Sequence, residues 1–426
     1  MKKETKIKKT EKKPFIKKKV RKEEKVELDD ENVREIVVER DNGFNTVEVI
    51  VIILISILFG LVIGYILSST RTFGTKVSDE ASEIVETYDT ILENYYDTVD
   101  PSELADAAIS GMIGVLDDPY SIFMNSDDTD SFLESVNGSF VGIGINVEWN
   151  NNQFKIISVF EDSPAAKAGL KVNDIIIKVD EKNVEGLTLD EMSSLIKGKS
   201  GSKVNLTVLR GEEEVKVTAK REVVEIPSVS SDILEESIGY IVIDSFSATT
   251  SEQFSKKLKG LEDAEIKSLI IDVRDNPGGK LGQVNKILSK FFDKKTVLYQ
   301  IVTKDKTTKV TDDSSENRDY PIVILVNHGS ASAAEILAAS FQDNYKNVNI
   351  VGTVTYGKGT IQKAVELSSG SSIKYTTQKW LTPKGKWINE KGVIPDEVIE
   401  QGENYGANPS YANDVQLQKA VELLKK

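Results

Sequence analysis

Nineteen consecutive residues without a charge, VIVIILISILFGLVIGYIL from Val49 to Leu67, split this 426-residue chain into a short leader and a long remainder. As a helix they span about 28 Å, the depth of a bilayer core. The run is apolar on every face, unlike a core helix with one buried stripe, and predicts a single transmembrane helix over 49–67. A cleaved signal peptide fits poorly, because 48 residues precede the run and LSSTRTF beyond it offers no small-x-small site.

Charge orients the anchor. Residues 1–25 hold 13 Lys and Arg against 4 Asp and Glu, and residues 26–46 hold 2 against 7, so 1–48 is a basic and then acidic tail. Thirteen cations are costly to translocate, which predicts a single-pass protein of the cell membrane with its N-terminus cytoplasmic and residues 70–426 extracytoplasmic. Lys-rich sequence with few apolar residues cannot offset the entropy of ordering, so the tail is expected to be solvated. The rest of the chain is acidic and the whole carries a net charge of -14, which argues against a nucleic-acid partner.

Composition removes several chemistries. With no cysteine there is no thiol nucleophile, thiolate zinc site, iron–sulfur cluster or disulfide. A single histidine, His328, excludes a multi-histidine metal centre within one chain, so neither metal nor cofactor is expected. The bulk, 39% hydrophobic and 29% charged, is ordinary globular material.

Beyond the anchor, residues 78–128 form a helical lead-in. Ile84, Val85, Tyr88, Ile91, Leu92 and Tyr95 recur at helical spacing, and Pro101-Ser102 opens a second helix that ends at Asp117-Asp118-Pro119-Tyr120. From residue 129 to 220 the texture is short strands with one helix. VGIGINVE, FKIISVF, KVNLTVLRG and VKVTAKR have strand length, and TLDEMSSLIKG has helical pattern. In Gly142-Ile143-Gly144-Ile145 the glycines let backbone amides approach a ligand, although glycines in such a run also mark a bulge. With SPAAKAGL, then NDII, then a helix bearing Leu189, Met192 and Leu195, this stretch resembles a PDZ domain. The resemblance implies capture of an extended peptide with a free C-terminus by strand addition, its carboxylate held by the amides of residues 142–145.

Residues 225–426 alternate between apolar strands (GYIVIDSF, SLIIDVR, PIVILVN, NVNIVG) and helical stretches, with a hairpin over AVELSSG and SIKYTTQKW and a C-terminal helix in NDVQLQKAVELLKK. Three turns here could carry chemistry. DVRDNPGGKLG runs a strand into glycines, which make either a plain turn or a backbone donor at a strand's C-terminal end. NHGSASAAEILAAS turns from a strand into a helix, where a serine is either an N-cap or a nucleophile facing the helix's free N–H groups. TVTYGKGTIQ nearly spells a phosphate-binding loop, but Gly359 stands where a Mg²⁺-binding Ser or Thr is required and a strand follows in place of a helix.

A serine attacks a carbonyl only if something takes its proton. His328 lies four residues before Ser332 on the same turn, badly placed to serve. A neutral lysine can, at a cost of roughly 3–4 kcal/mol to bring its pKa from about 10.4 to about 7–8.

The ordered set D-x-R-D-N-P-G-G, N-x-G-S-A-S-A-x-E-I, G-K-G-T-x-Q, K-W-L-T-P-x-G and D-x-Q-L-Q-K-A, with the lead-in ENYYDTVDPSELADAAISGMIGVLDDPYS, closely resembles the C-terminal processing (tail-specific) serine proteases over about residues 78–426. The fold class this implies is an α/β (α+β) protease core, with an inserted β-rich PDZ-like domain and the N-terminal transmembrane helix. The activity it implies is endopeptidase cleavage of polypeptides near their C-termini through a Ser-Lys dyad. Ser332 would be the nucleophile, Lys358 the general base and Gln362 the residue orienting the lysine. The amides of Ala333 and Gly278 would form the oxyanion hole, with Gly279 the competing donor. The sequence departs from the family pattern at Ala334, where a third serine is usual, and in a Ser-to-Lys interval one residue longer than common. The alternative is a catalytically inactive, membrane-anchored PDZ receptor or adaptor. A homo-oligomer is left open.

Overall fold

The computed structural model describes residues 47, 50, 51, 53–60, 78–403, 405, 406 and 410–425. The chain divides into two units, Met1–Glu86 and Thr87–Lys426. In the first, residues 47, 50, 51 and 53–60 are helical. Among the described residues no helix is long and apolar enough to cross a membrane. The tail 1–46 and positions 49, 52 and 61–67 of the apolar run lie outside the described residues.

Helix α1 (Asp79–Asn94) is followed by α2 (Pro101–Gly114), which starts at Pro101 as the Pro101-Ser102 signal predicts, the Asp100 carboxylate accepting the N–H groups of Ser102 and Glu103. A short strand β1 (Ile122–Met124) and helix α3 (Ser126–Asn137) come next. Residue 129, the expected start of the β-rich unit, therefore falls inside a helix, and α3 ends at Gly138 in the left-handed conformation.

The β-rich unit comprises β2 (Ser139–Gly142), β3 (Ile145–Asn150), β4 (Gln153–Val159), α4 (Pro164–Ala168), β5 (Ile175–Val179), β6 (Lys182–Asn183), α5 (Leu189–Ile196), β7 (Lys203–Arg210), β8 (Glu213–Lys220) and β9 (Glu222–Glu225). Its sheet runs β3-β4-β5-β7-β8, with β6 on β5, and β2 pairs with β9 where the chain enters and leaves. Val204, Leu206 and Val208 of β7 alternate inward onto a core with Phe154, Ile156 and Met192.

The remaining core runs β10 (Val229–Leu234), β11 (Ile238–Ile243), α6 (Thr250–Asp263), β12 (Ser268–Asp272), α7 (Leu281–Leu288), β13 (Val297–Val302), β14 (Thr307–Thr311), β15 (Ile322–Val326), α8 (Ala333–Asn344), β16 (Val348–Gly352), β17 (Thr360–Glu366), β18 (Ser372–Leu381), β19 (Glu397–Val398) and α9 (Val415–Leu424). One sheet has the order β10-β11-β12-β15-β16-β19 and is parallel from β11 onward. Every residue of β12 and β15 is buried, as expected of strands covered on both faces. Residues of α6, α7 and α8 pack in one apolar cluster and residues of α9 in another. A second, antiparallel sheet contains β1, β18, β13 and β14, with β17 on β18. Thus β1 of the lead-in is a strand of the core's own sheet.

Candidate active site

Strands β12, β15 and β16 lie side by side and parallel. The loops that leave their C-terminal ends therefore meet at one edge, the place where open α/β sheets bind ligands. These loops carry Gly278, Ser332 and Lys358. Cross-loop bonds hold them together. The Asn327 side chain accepts the Asp275 N–H at 2.8 Å and donates to Asp275 Oδ1 at 2.9 Å. The Ala331 N–H donates to the Asn276 carbonyl at 2.9 Å, and the Tyr356 N–H to the Ser330 carbonyl at 3.0 Å.

Ser332 stands immediately before α8 with φ 53 and ψ -111. A non-glycine residue held there costs of order 1–3 kcal/mol and needs surroundings that enforce it. Ser330 is different: fully buried, its Oγ donates to the Val273 carbonyl at 2.7 Å and accepts the Asn327 N–H at 3.0 Å. Its role is to build the turn.

The glycines of DNPGGK follow from close packing. At Gly278 (φ 98) a Cβ would stand 2.8 Å from Ser332 Cβ and 2.9 Å from the Ala333 nitrogen, and at Gly279 (φ 144) it would stand 2.3 Å from the Phe246 carbonyl oxygen. Gly278 is thus packed against the Ser332–Ala333 peptide, but its N–H donates to Asn276 Oδ1 at 2.8 Å. That bond departs from the expected role of Gly278 as oxyanion donor. The Gly279 N–H has no acceptor among the described residues.

Glu335, which no motif marks as functional, is central to the site. It is fully buried, three residues into α8. Its Oε1 accepts the Thr355 hydroxyl at 2.6 Å and the Gly357 N–H at 2.7 Å. Its Oε2 accepts the Ser332 N–H at 2.8 Å and the Lys358 N–H at 2.9 Å. One carboxylate so clamps the backbone of the serine turn to that of the lysine loop. Burial pushes its carboxyl above the ordinary carboxylate range, against the four bonds that favour the charged form. The only sequence signal was its N3 position after Ser332, the spacing of a helix capping residue.

Lys358 lies between Gly357 and Gly359, where no side chain would fit: a Cβ would meet the Lys391 nitrogen at 2.9 Å from the first and Trp387 Nε1 at 2.6 Å from the second. Buried Trp380 donates from Nε1 to the Lys358 carbonyl at 2.8 Å. The half-buried ammonium of Lys358 lies 4.6 Å from the centre of the Tyr120 ring. Burial, and then the nearby charge of Lys374, hold its pKa below the ordinary lysine range, while Asp118 and Glu335 pull the other way. Burial also pushes the Tyr120 phenol up to about 12, helped by its bond with Tyr356, so it stays neutral.

Among the described residues no hydrogen bond joins Lys358 Nζ to Ser332 or to Gln362. Gln362 Nε2 donates instead to the Thr360 and Thr376 hydroxyls at 2.9 and 3.0 Å. The structure therefore brings the loops of the expected dyad together without a closed serine–lysine bond. His328 is exposed, its ring centre 5.6 Å from that of Tyr356. Among the described residues no group of three or more His, Asp or Glu could hold a metal.

A second site lies in the β-rich unit. Gly142, Ile143, Gly144 and Ile145 line a groove of about 420 Å³ together with Leu189 and Met192 of α5. Ile196 joins the lining, whereas Leu195, expected there, packs against the unit's core. Gly144 has φ 83, and a Cβ there would lie 2.5 Å from Ser163 Cβ, so only glycine suits the loop. In its sheet β3 has one neighbour, β4, and its other edge is unpaired.

Comparison with known proteins assigns three stretches of the chain to known families. Residues 237–399 match Peptidase family S41, residues 141–220 the PDZ domain and residues 66–128 the N-terminal domain of the activating protease CtpB. The chain is similar to the carboxy-terminal processing protease CtpA of Bacillus subtilis, with 41% identity over 315 residues covering 74% of this chain and 67% of that protein. It is similar also to CtpB of the same organism, with 38% identity covering 78% and 70%. In fold alone it matches a solved S41 protease from Bacteroides fragilis, at a TM-score of 0.50 and 14% identity over 80% of this chain and 97% of that one. The protein belongs to peptidase family S41, as a carboxy-terminal processing serine protease that carries a PDZ domain.

Proposed function

We propose that Ser332 is the nucleophile of this protease and Lys358 its general base, with Gln362 orienting the lysine once substrate is bound. One observation carries the reading: adjacent parallel strands bring the Ser332 turn and the Lys358 loop to a common edge, and Glu335 binds the backbone N–H of both residues. The amine takes the Ser332 hydroxyl proton as Oγ attacks the peptide carbonyl, and the burial that disfavours its charged form is what a lysine base needs. The Ala333 N–H and a glycine N–H of the facing turn hold the oxyanion. Of the two glycines, Gly279 is the one with an uncommitted donor, and Gly278 would serve only after releasing Asn276.

Polypeptide tails with free C-termini enter through the PDZ groove, adding a strand to β3 while the amides of 142–145 take the carboxylate. The run 49–67 anchors the enzyme in the cell membrane, with the tail cytoplasmic and the catalytic part outside. The test is incubation of the full chain with an unstructured protein. Cleavage is expected, with none from Ser332→Ala, Lys358→Ala or Lys358→Arg, since arginine stays protonated. His328→Ala should remain active. Cleavage by Ser332→Ala, or activity that follows His328 and not Lys358, would overturn the assignment.

A further inference from the structure

The lead-in reaches into the catalytic site. Its turn, residues 118–121, precedes β1, which pairs with β18 so that Ile122 stands opposite Lys374. Ser121 Oγ accepts the Thr376 N–H of β18 at 3.1 Å, and the Thr376 hydroxyl accepts from Gln362 at 3.0 Å. Asp118 braces the turn from within, taking the Ser121 hydroxyl at 2.6 Å and the Tyr120 N–H at 3.1 Å. The turn so held presents Tyr120 to the lysine loop. Its ring centre lies 4.6 Å from Lys358 Nζ, well inside the roughly 6 Å over which an aromatic face attracts an ammonium.

Among the described residues no hydrogen bond and no ion pair holds the Lys358 amine, although its backbone is bonded by Glu335 and Trp380. The ring is the contact that locates it. The choice of holder has a chemical sense. A carboxylate in contact would grip the amine firmly but would also keep it protonated, and a protonated lysine accepts nothing from a serine. An aromatic face grips it more weakly and carries no net charge. Tyr120 meets that condition, because its phenol stays neutral.

We propose that Tyr120 is a positioning residue of this protease, its ring the face that holds the Lys358 amine in the site, so that the catalytic centre is complete only with the lead-in docked on β18. The proposal rests on the Ser332–Lys358 reading. It is tested on the full chain by two reactions: peptide cleavage, and acylation of the serine by a neutral sulfonyl fluoride, which needs the base but not the peptide groove. Tyr120→Leu should lower kcat about tenfold with KM little changed, and should slow acylation by the same factor. Tyr120→Met should match it. Tyr120→Phe, which keeps the ring and loses the hydroxyl, should recover most of both rates. Thermal unfolding checks the fold of each variant. Wild-type rates in a folded Leu or Met variant would overturn the proposal, and so would a tenfold loss in Tyr120→Phe, which would give the role to the hydroxyl. A loss confined to KM with acylation intact would also overturn it, making Tyr120 a wall of the peptide site. Failure of the dyad reading is distinguishable, because Lys358→Ala would then keep both reactions whatever stands at position 120.

Discussion

Replacing Glu335 with Gln preserves the shape of the side chain but removes its charge and one acceptor oxygen. All four partners of Glu335 bring a proton to it: the Thr355 hydroxyl and the Gly357 N–H at one oxygen, the Ser332 and Lys358 N–H groups at the other. A glutamine amide can satisfy only one pair. In its better orientation the new NH₂ faces Thr355, whose hydroxyl can turn to accept, and the Gly357 N–H is stranded. That buried N–H costs roughly 1–3 kcal/mol, and the remaining bonds lose their charge assistance, so a total of about 2–4 kcal/mol is expected. Because the lost bonds joined the serine turn to the lysine loop, kcat should fall on the order of a hundredfold with KM little changed. Thermal unfolding measures the first effect and steady-state cleavage the second. Glu335→Asp keeps the charge but lacks the length to reach both loops, and should recover stability better than kcat. Wild-type kcat in Glu335→Gln would refute the view that this carboxylate sets the register of the site.

Two further outcomes follow from buried charge. Lys358 titrates below the ordinary lysine range when folded, so the unfolded chain binds its proton more tightly and stability rises with pH from the folded value toward the unfolded one. Lys358→Met should therefore be inactive yet more stable at neutral pH, on the order of 1 kcal/mol, with the difference from wild type shrinking toward pH 10 in thermal unfolding. Arg274 binds Asp272 at 2.6 Å and Asp414 at 2.9 Å, all three side chains nearly inaccessible. Arg274→Met should cost roughly 3–5 kcal/mol by leaving two buried carboxylates unpaired, and hydrogen exchange should report α9 as the first element to loosen.

The elements that sequence revealed were those whose pattern is local. Strands β12 and β15 were legible because both faces are buried and every position is apolar. The hairpin β17–β18 was legible from its Ser-Ser-Gly turn. Strand β1 was missed: three residues long, it exists through pairing with β18, some 250 positions away, and short-range periodicity carries no trace of that. The boundary expected at residue 129 falls inside α3, a short and mostly polar helix whose one buried residue is Thr129.

The same distinction divides the active site. Ser332 and the glycines stand in short motifs because each must adopt an unusual backbone conformation or admit a close neighbour, and Lys358 is marked by standing between two such glycines. What holds the motifs to one another leaves no such mark. Glu335 looks like an ordinary capping residue until the fold carries the lysine loop to it, and Trp380 like a core aromatic until its indole N–H meets the Lys358 carbonyl. Asp414 and Gln416, at the far end of the chain, complete the Arg274 network that begins only two residues after β12. Their occurrence in the ordered motifs has a structural cause: the C-terminal helix is bonded to the strand end from which the glycine turn departs. A substitution in α9 should thus reach the Gly278 turn through Arg274, across a span of sequence that no local reading would connect.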